Sequence, residues 1–137
     1  ELQIWDTSAA DDLEGIRVLS YAKTNIFLIC FNIADQVSLE NAEKKWLAEI
    51  RNHVNNPFIF LVGLNSELRN DESTNNELAQ KNVQYITYEQ GKAKANETKI
   101  DGYCECSLKS VDSVKAVFDQ ALDALYKSKN DKHCIIY

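Results

Sequence analysis

The chain has 137 residues, 45% hydrophobic and 26% charged, the size and balance of one globular domain with little left over for a second. Its net charge of -6 argues against nucleic acid as a main partner, because phosphate backbones are gripped by clustered Lys and Arg. The apolar runs are too short to span a bilayer and the acidic opening does not resemble a signal peptide. The four cysteines, Cys30, Cys104, Cys106 and Cys134, lack paired metal or redox spacing, so they read as reduced thiols of a cytoplasmic protein.

Leu2-Gln3-Ile4-Trp5 alternates apolar and polar residues and is predicted as a strand that delivers Asp6 and Thr7 at its end. Asp11, Asp12 and Glu14 follow as an acidic segment read as solvated. Ile26–Phe31 and Phe58–Val62 are unbroken apolar runs, as expected of strands buried on both faces of a parallel sheet. Between them Leu39, Ala42, Trp46 and Ile50 recur at helical spacing, with Ser38 as the expected cap and Asn55-Asn56-Pro57 as the stop. Thr74 with Glu77 and Thr87 with Gln90 have the spacing of capping boxes. The first of these helices is expected on the surface, because Asn75, Asn76, Gln80 and Lys81 offer nothing to a core. Tyr103–Ser107 is predicted as the last strand, and Val114, Val117, Phe118, Ala121, Leu122 and Leu125 as the apolar face of a final helix docked on the sheet. Trp5 and Trp46 are expected in the core or at its edge, and His53 as a helix-end cation near carbonyls. The alternation of strands and helices implies an α/β fold with an open, doubly wound, mainly parallel sheet, whose site lies at the carboxyl ends of its strands.

Three stretches stand at such ends: Asp6-Thr7, Gly63-Leu64-Asn65-Ser66-Glu67-Leu68 and Glu105-Cys106-Ser107. They resemble the third, fourth and fifth guanine-nucleotide motifs of Ras-like small GTPases. Leu19-Ser20-Tyr21, Phe27–Phe31, Lys45-Trp46, and Leu68-Arg69-Asn70-Asp71 followed by Thr74 and Glu77-Leu78 resemble the Rho/Rac branch, marked by an inserted surface helix, here at about residues 71–82. The resemblance implies a partial GTPase domain over residues 1–126 and a tail over residues 127–137. It also implies a truncated sheet: the phosphate loop, the helix after it and the first switch are not among these residues. Leu2–Trp5 and Ile26–Phe31 would then have lost the strand between them. They are expected to pair directly, or to leave a domain markedly less stable than a whole GTPase.

The resemblance assigns roles residue by residue. Asp6 stands where the family reaches Mg2+ through water, a task suited to a hard oxygen ligand. The family continues Asp-Thr-Ala-Gly-Gln where this chain has Ser8-Ala9-Ala10: Ala9 restricts a backbone that glycine leaves free, and Ala10 cannot orient an attacking water. Glu67 stands where an Asp takes the guanine N1 and N2 hydrogens, one methylene longer, and Asn65 where a Lys stem covers the base. Ser107 and the Leu108 backbone amide stand in the fifth motif, and no catalytic residue is assigned. Each has a plain alternative: Asp6 as a strand-end or helix-capping carboxylate, Glu67 as a solvated loop acid, Ser107 as a turn residue.

Cys134-Ile135-Ile136-Tyr137 fits the C-a-a-X prenylation pattern, with Lys127, Lys129, Lys132 and His133 as a thin basic patch. Together they imply reversible attachment to the cytoplasmic face of a membrane. Two functions stay open. One is a Rho-like GTPase using GTP/GDP and Mg2+, with weak nucleotide binding and slow hydrolysis, and with effectors, exchange factors and a lipid-masking chaperone as partners. The other is a nucleotide-independent, membrane-tethered binding module. An unrelated flavodoxin-like enzyme is a remote third, since it too requires a phosphate-binding loop.

Overall fold

Three apolar runs, β1 (Phe27–Asn32), β2 (Ile59–Leu64) and β3 (Gly102–Cys106), form a parallel sheet in the order β1-β2-β3. Phe27 faces Ile59 and Asn32 faces Leu64 across the first pair; Phe60 faces Gly102 and Leu64 faces Cys106 across the second. The structure is a computed structural model and describes residues 2–81 and 83–131.

The central strand β2 is buried on both faces and lacks polar alternation, while β1 buries Phe27, Ile29 and Phe31 on one face and leaves Cys30 exposed on the other. On one face Phe27, Ile29, Phe31, Ile59 and Leu61 join Leu39, Ala42, Leu47, Ile50, Ile86 and Ala95 in the larger core. On the other, Phe60, Val62, Cys104 and Cys106 meet Val117 and Ala121. This is the expected doubly covered α/β fold.

The helix after β1 runs as α2 (Gln36–Asn41), a π-helical turn over Ala42–Leu47, and α3 (Ala48–His53). It starts earlier than its apolar spacing suggests. The cap is Asp35, whose side chain accepts from the Val37 amide at 2.9 Å. Ser38 lies inside the helix and serves another purpose: its hydroxyl accepts from the Asn32 amide at 2.9 Å and donates to the Asp35 carbonyl at 2.7 Å, joining strand end to helix start. His53 closes α3 with Nδ1 at 2.9 Å from the Glu49 carbonyl, the place expected of it.

Helix α4 (Glu72–Gln80) buries no residue, as its composition requires. Its cap is Asp71, which accepts from the Ser73 amide at 3.0 Å, so Thr74 sits in the first turn and not at the cap. Helix α5 (Tyr88–Glu97) has the full capping box, with Thr87 accepting from the Gln90 amide at 3.2 Å and Gln90 from the Thr87 amide at 2.8 Å. Gly91 lets α5 lie directly on the Tyr103 ring, whose atoms a Cβ at that position would overlap. Helix α6 (Val111–Asp131) begins after Ser110, whose hydroxyl accepts from the Ser113 amide at 3.2 Å. Its inward stripe is Val117 and Ala121 with Val114 packed beside them, as expected, whereas Leu122, also expected on that face, is 38% exposed. Among the described residues no helix is long and apolar enough to cross a membrane.

Leu2–Trp5 does not form the predicted strand. The segment has no regular secondary structure and pairs with nothing in the sheet, and Leu2, Ile4 and Trp5 are 54%, 64% and 71% exposed, so Trp5 is not a core residue. Nor does it pair directly with β1. An alternating sequence makes a strand only where a neighbour about 4.8 Å away receives its amides and carbonyls. Here the residues just after it are held elsewhere, by Arg17. The acidic stretch at Asp11 is not a bare loop either: a 3-10 turn over Asp11–Leu13 leads into α1 (Glu14–Leu19).

Candidate functional site

The carboxyl ends of β2 and β3 lie side by side, and the loops that leave them meet. After β2 the chain turns sharply at Asn65, which holds left-handed backbone angles (φ 65°, ψ 37°) that Asn tolerates far better than most residues. Its carbonyl accepts from the Leu68 amide at 3.0 Å, closing a 3-10 turn over Ser66–Asn70 that carries Glu67. After β3, Ser107 opens a second turn. Its amide donates to the Ser113 hydroxyl at 2.9 Å and its own hydroxyl accepts from the Lys109 amide at 3.2 Å.

The first loop is anchored to β3 through Arg69 and Glu105. The Arg69 guanidinium donates twice to the Glu105 carboxylate, at 2.5 and 2.9 Å, and once to the Ile86 carbonyl at 2.6 Å; the Tyr103 hydroxyl donates to the same carboxylate at 2.6 Å. Burial pushes the Glu105 carboxyl up, but Arg69 and Tyr103 outweigh it and hold it below the usual carboxylate range.

At the seam between the loops, a Glu67 carboxylate oxygen accepts from the Leu108 amide at 3.3 Å. Burial by itself pushes the Glu67 carboxyl up. Its own amide, the Ser107 hydroxyl, the Leu108 amide and the nearby Lys109 charge more than offset that and lower it. Four of the sequence-predicted positions, Asn65, Glu67, Ser107 and Leu108, therefore come together. Asp6 does not join them: it is exposed, on the unpaired segment that follows Leu2–Trp5. Cys134 lies outside the described residues. The thiols within the sheet are free, and burial pushes Cys104 up to about 12, far from a reactive thiolate.

The chemistry of the corner fits a guanine edge. Glu67 offers carboxylate oxygens and Leu108 an amide donor, the complement of the guanine N1 and N2 hydrogens and O6. The fit to Mg2+ is thinner. Among the described residues no group of three or more His, Cys, Asp or Glu could close around a metal ion. Asp6 could offer a single water-mediated contact to an ion already held by phosphates.

A second network lies beside α1 and was not legible from spacing. Arg17, 5% exposed, donates to Glu49 at 2.9 and 2.7 Å and to the carbonyls of Ser8 at 2.7 Å and Ala10 at 3.0 Å, and lies over the Trp46 ring, 5.1 Å from its centroid. The Tyr21 hydroxyl donates to Glu49 at 2.5 Å. Lys45 pairs with Asp11 and also lies against Trp46, 4.4 Å from the ring centroid, so both cations share one aromatic ring. Arg17 thus fixes the backbone of the two residues that flank Ala9.

Tyr21 makes that network sensitive to alkali. Burial and the Glu49 carboxylate push its hydroxyl up to about 12 from an ordinary 10. The folded state therefore favours the neutral form, so this contribution is present below pH 10 and is lost as pH rises from about 10 towards 12, by at most about 1.4 kcal/mol per pH unit. Urea midpoints measured at pH 9 and pH 11.5 are expected to fall more steeply for the native chain than for Tyr21→Phe.

A parallel sheet flanked by helices, with two loops meeting at the carboxyl ends of adjacent strands, defines an α/β domain. The Ras family model matches residues 1–127. The chain belongs to the Ras family of small GTPases.

Proposed function

We propose that this protein is a Rho/Rac-branch member that binds guanine nucleotide weakly, through Asn65, Glu67, Ser107 and the Leu108 amide, and hydrolyses GTP poorly or not at all. The observation that carries the reading is the meeting of the Glu67 carboxylate and the Leu108 amide at one corner. The Rho/Rac assignment is supported by α4, a surface helix with no buried residue placed directly after Leu68-Arg69-Asn70-Asp71. The weakness follows from the residues themselves. Asn65 has no stem to lay along a base, Glu67 is one methylene too long for the family's bidentate pairing, and Ala10 has no side-chain amide to hold a water. Asp6 would meet Mg2+ through water. Cys134 would carry a prenyl group and, with the Lys127 and Lys129 charges, hold the protein at the cytoplasmic face of a membrane, within reach of Rho-type effectors, exchange factors and a lipid-masking chaperone.

One observation favours a second reading, a binding module that works without nucleotide. In the family the segment after the metal-binding Asp moves with the terminal phosphate, whereas here Arg17 holds the Ser8 and Ala10 carbonyls with no phosphate involved. A fluorescent GDP analogue titrated with the protein and Mg2+ separates the two. Binding competed by GDP and not by ADP, with no GTP turnover, is the expected result; absence of guanine-selective binding leaves the module.

A further inference from the structure

We infer that Glu67 is a built-in competitor for the base site, occupying with its own carboxylate the amide donor that a guanine carbonyl needs. The inference rests on the guanine reading above and adds to it why binding is weak and what would strengthen it. The Leu108 amide belongs to a residue 53% exposed, and Glu67 already accepts from it at 3.3 Å. The nearby Ser107 hydroxyl and Lys109 charge both favour the ionised form of Glu67. The carboxylate is therefore satisfied within the protein. A guanine O6 reaching for the Leu108 amide must first displace an anion, which accepts hydrogen bonds more strongly than a neutral carbonyl does. The length of the side chain decides this contact. A glutamate on the 3-10 turn reaches across the seam to the β3 loop, while an aspartate, one methylene shorter, would fall short of the amide and leave its oxygens facing outward for the N1 and N2 hydrogens.

The surroundings favour the closed arrangement. Arg69 ties the loop that carries Glu67 to Glu105 on β3, which holds Glu67 on the side of the seam where the Leu108 amide lies. Adenine gains nothing from an open corner, because it presents an amino donor where guanine has O6 and would face the Leu108 amide with another donor.

The test is GMP titration of the native chain, Glu67→Asp and Glu67→Ala, followed through the backbone amide resonances of residues 107–109, with AMP as the control. Glu67→Asp is expected to bind GMP about tenfold more tightly than the native chain, the effect of one competing hydrogen bond removed. Glu67→Ala, which frees the amide but deletes the acceptor, is expected to show no such gain, and AMP to bind none of the three. Without any ligand the Leu108 amide proton is expected to move upfield in Glu67→Ala, reporting the lost contact. Equal or weaker GMP binding by Glu67→Asp overturns the competition while leaving the guanine reading intact. Failure of every form to bind GMP, with the Leu108 shift still present, overturns the guanine reading and the competition with it.

Discussion

Replacing Glu49 with alanine is expected to lower the unfolding free energy by about 3–5 kcal/mol, the cost of leaving a buried charge without its partner. The Arg17 and Glu49 side chains are 4% and 9% exposed, so water cannot take over the guanidinium once the carboxylate is gone. Glu49 also receives the Tyr21 hydroxyl, which loses its acceptor in the same step. Urea denaturation measures the loss. A double replacement, Arg17→Met with Glu49→Leu, removes both charges and their desolvation cost together and is expected to recover most of the stability. It would still free the Ser8 and Ala10 carbonyls that Arg17 holds, so increased proteolysis within residues 7–11 is expected even where stability returns. A loss below about 1 kcal/mol for Glu49→Ala would mean that the pair behaves as a surface ion pair.

Phe31→Ala is expected to cost a further large amount, about 3–5 kcal/mol, by the lost transfer energy of the ring and the cavity it leaves. Phe31 is 2% exposed and stacks on Tyr103 at 6.3 Å between ring centroids, with 16° between the planes. The cavity would open beneath the hydroxyl that donates to Glu105, and so under the seam between the two loops. The denaturation midpoint is expected to fall with an unchanged slope, because the same surface is exposed on unfolding.

The acid limb of the stability profile should reflect the same networks. Arg17, with help from the Tyr21 hydroxyl, lowers the Glu49 pKa, and Arg69 lowers that of Glu105 against its burial. Carboxyls depressed in the folded state contribute stability above their ordinary pKa and lose it as pH falls below that value.

The sheet was legible in the sequence because its runs are unbroken: Phe58–Val62 has no polar face to offer water, as suits the doubly covered central strand, and Ile26–Phe31 shares that apolar character although Cys30 is exposed. The Thr87 and Gln90 box was legible because both halves of the cap lie three residues apart. Caps set by one residue were harder, since Ser38 and Thr74 have the right chemistry and lie just inside helices that Asp35 and Asp71 begin. Leu2–Trp5 misled because alternation describes a side-chain pattern, while a strand is made by a neighbour's hydrogen bonds. The loop ends at Asn65, Glu67 and Ser107 could be placed from their positions after apolar runs. Arg17 with Glu49, and Arg69 with Glu105, could not, because partners 32 and 36 residues apart leave no periodic trace. A hint existed in Arg17, a charged residue between Ile16 and Val18 on a short helix.

The most direct test of the central claim, that the corner of Glu67 and Leu108 reads a guanine edge, is a crystal structure grown with GDP and Mg2+. The account predicts the base seated at the carboxyl ends of β2 and β3, its O6 on the Leu108 amide and Glu67 swung off that amide towards N1 and N2. A nucleotide bound elsewhere, or a base in the corner with Glu67 still on the Leu108 amide, would contradict it.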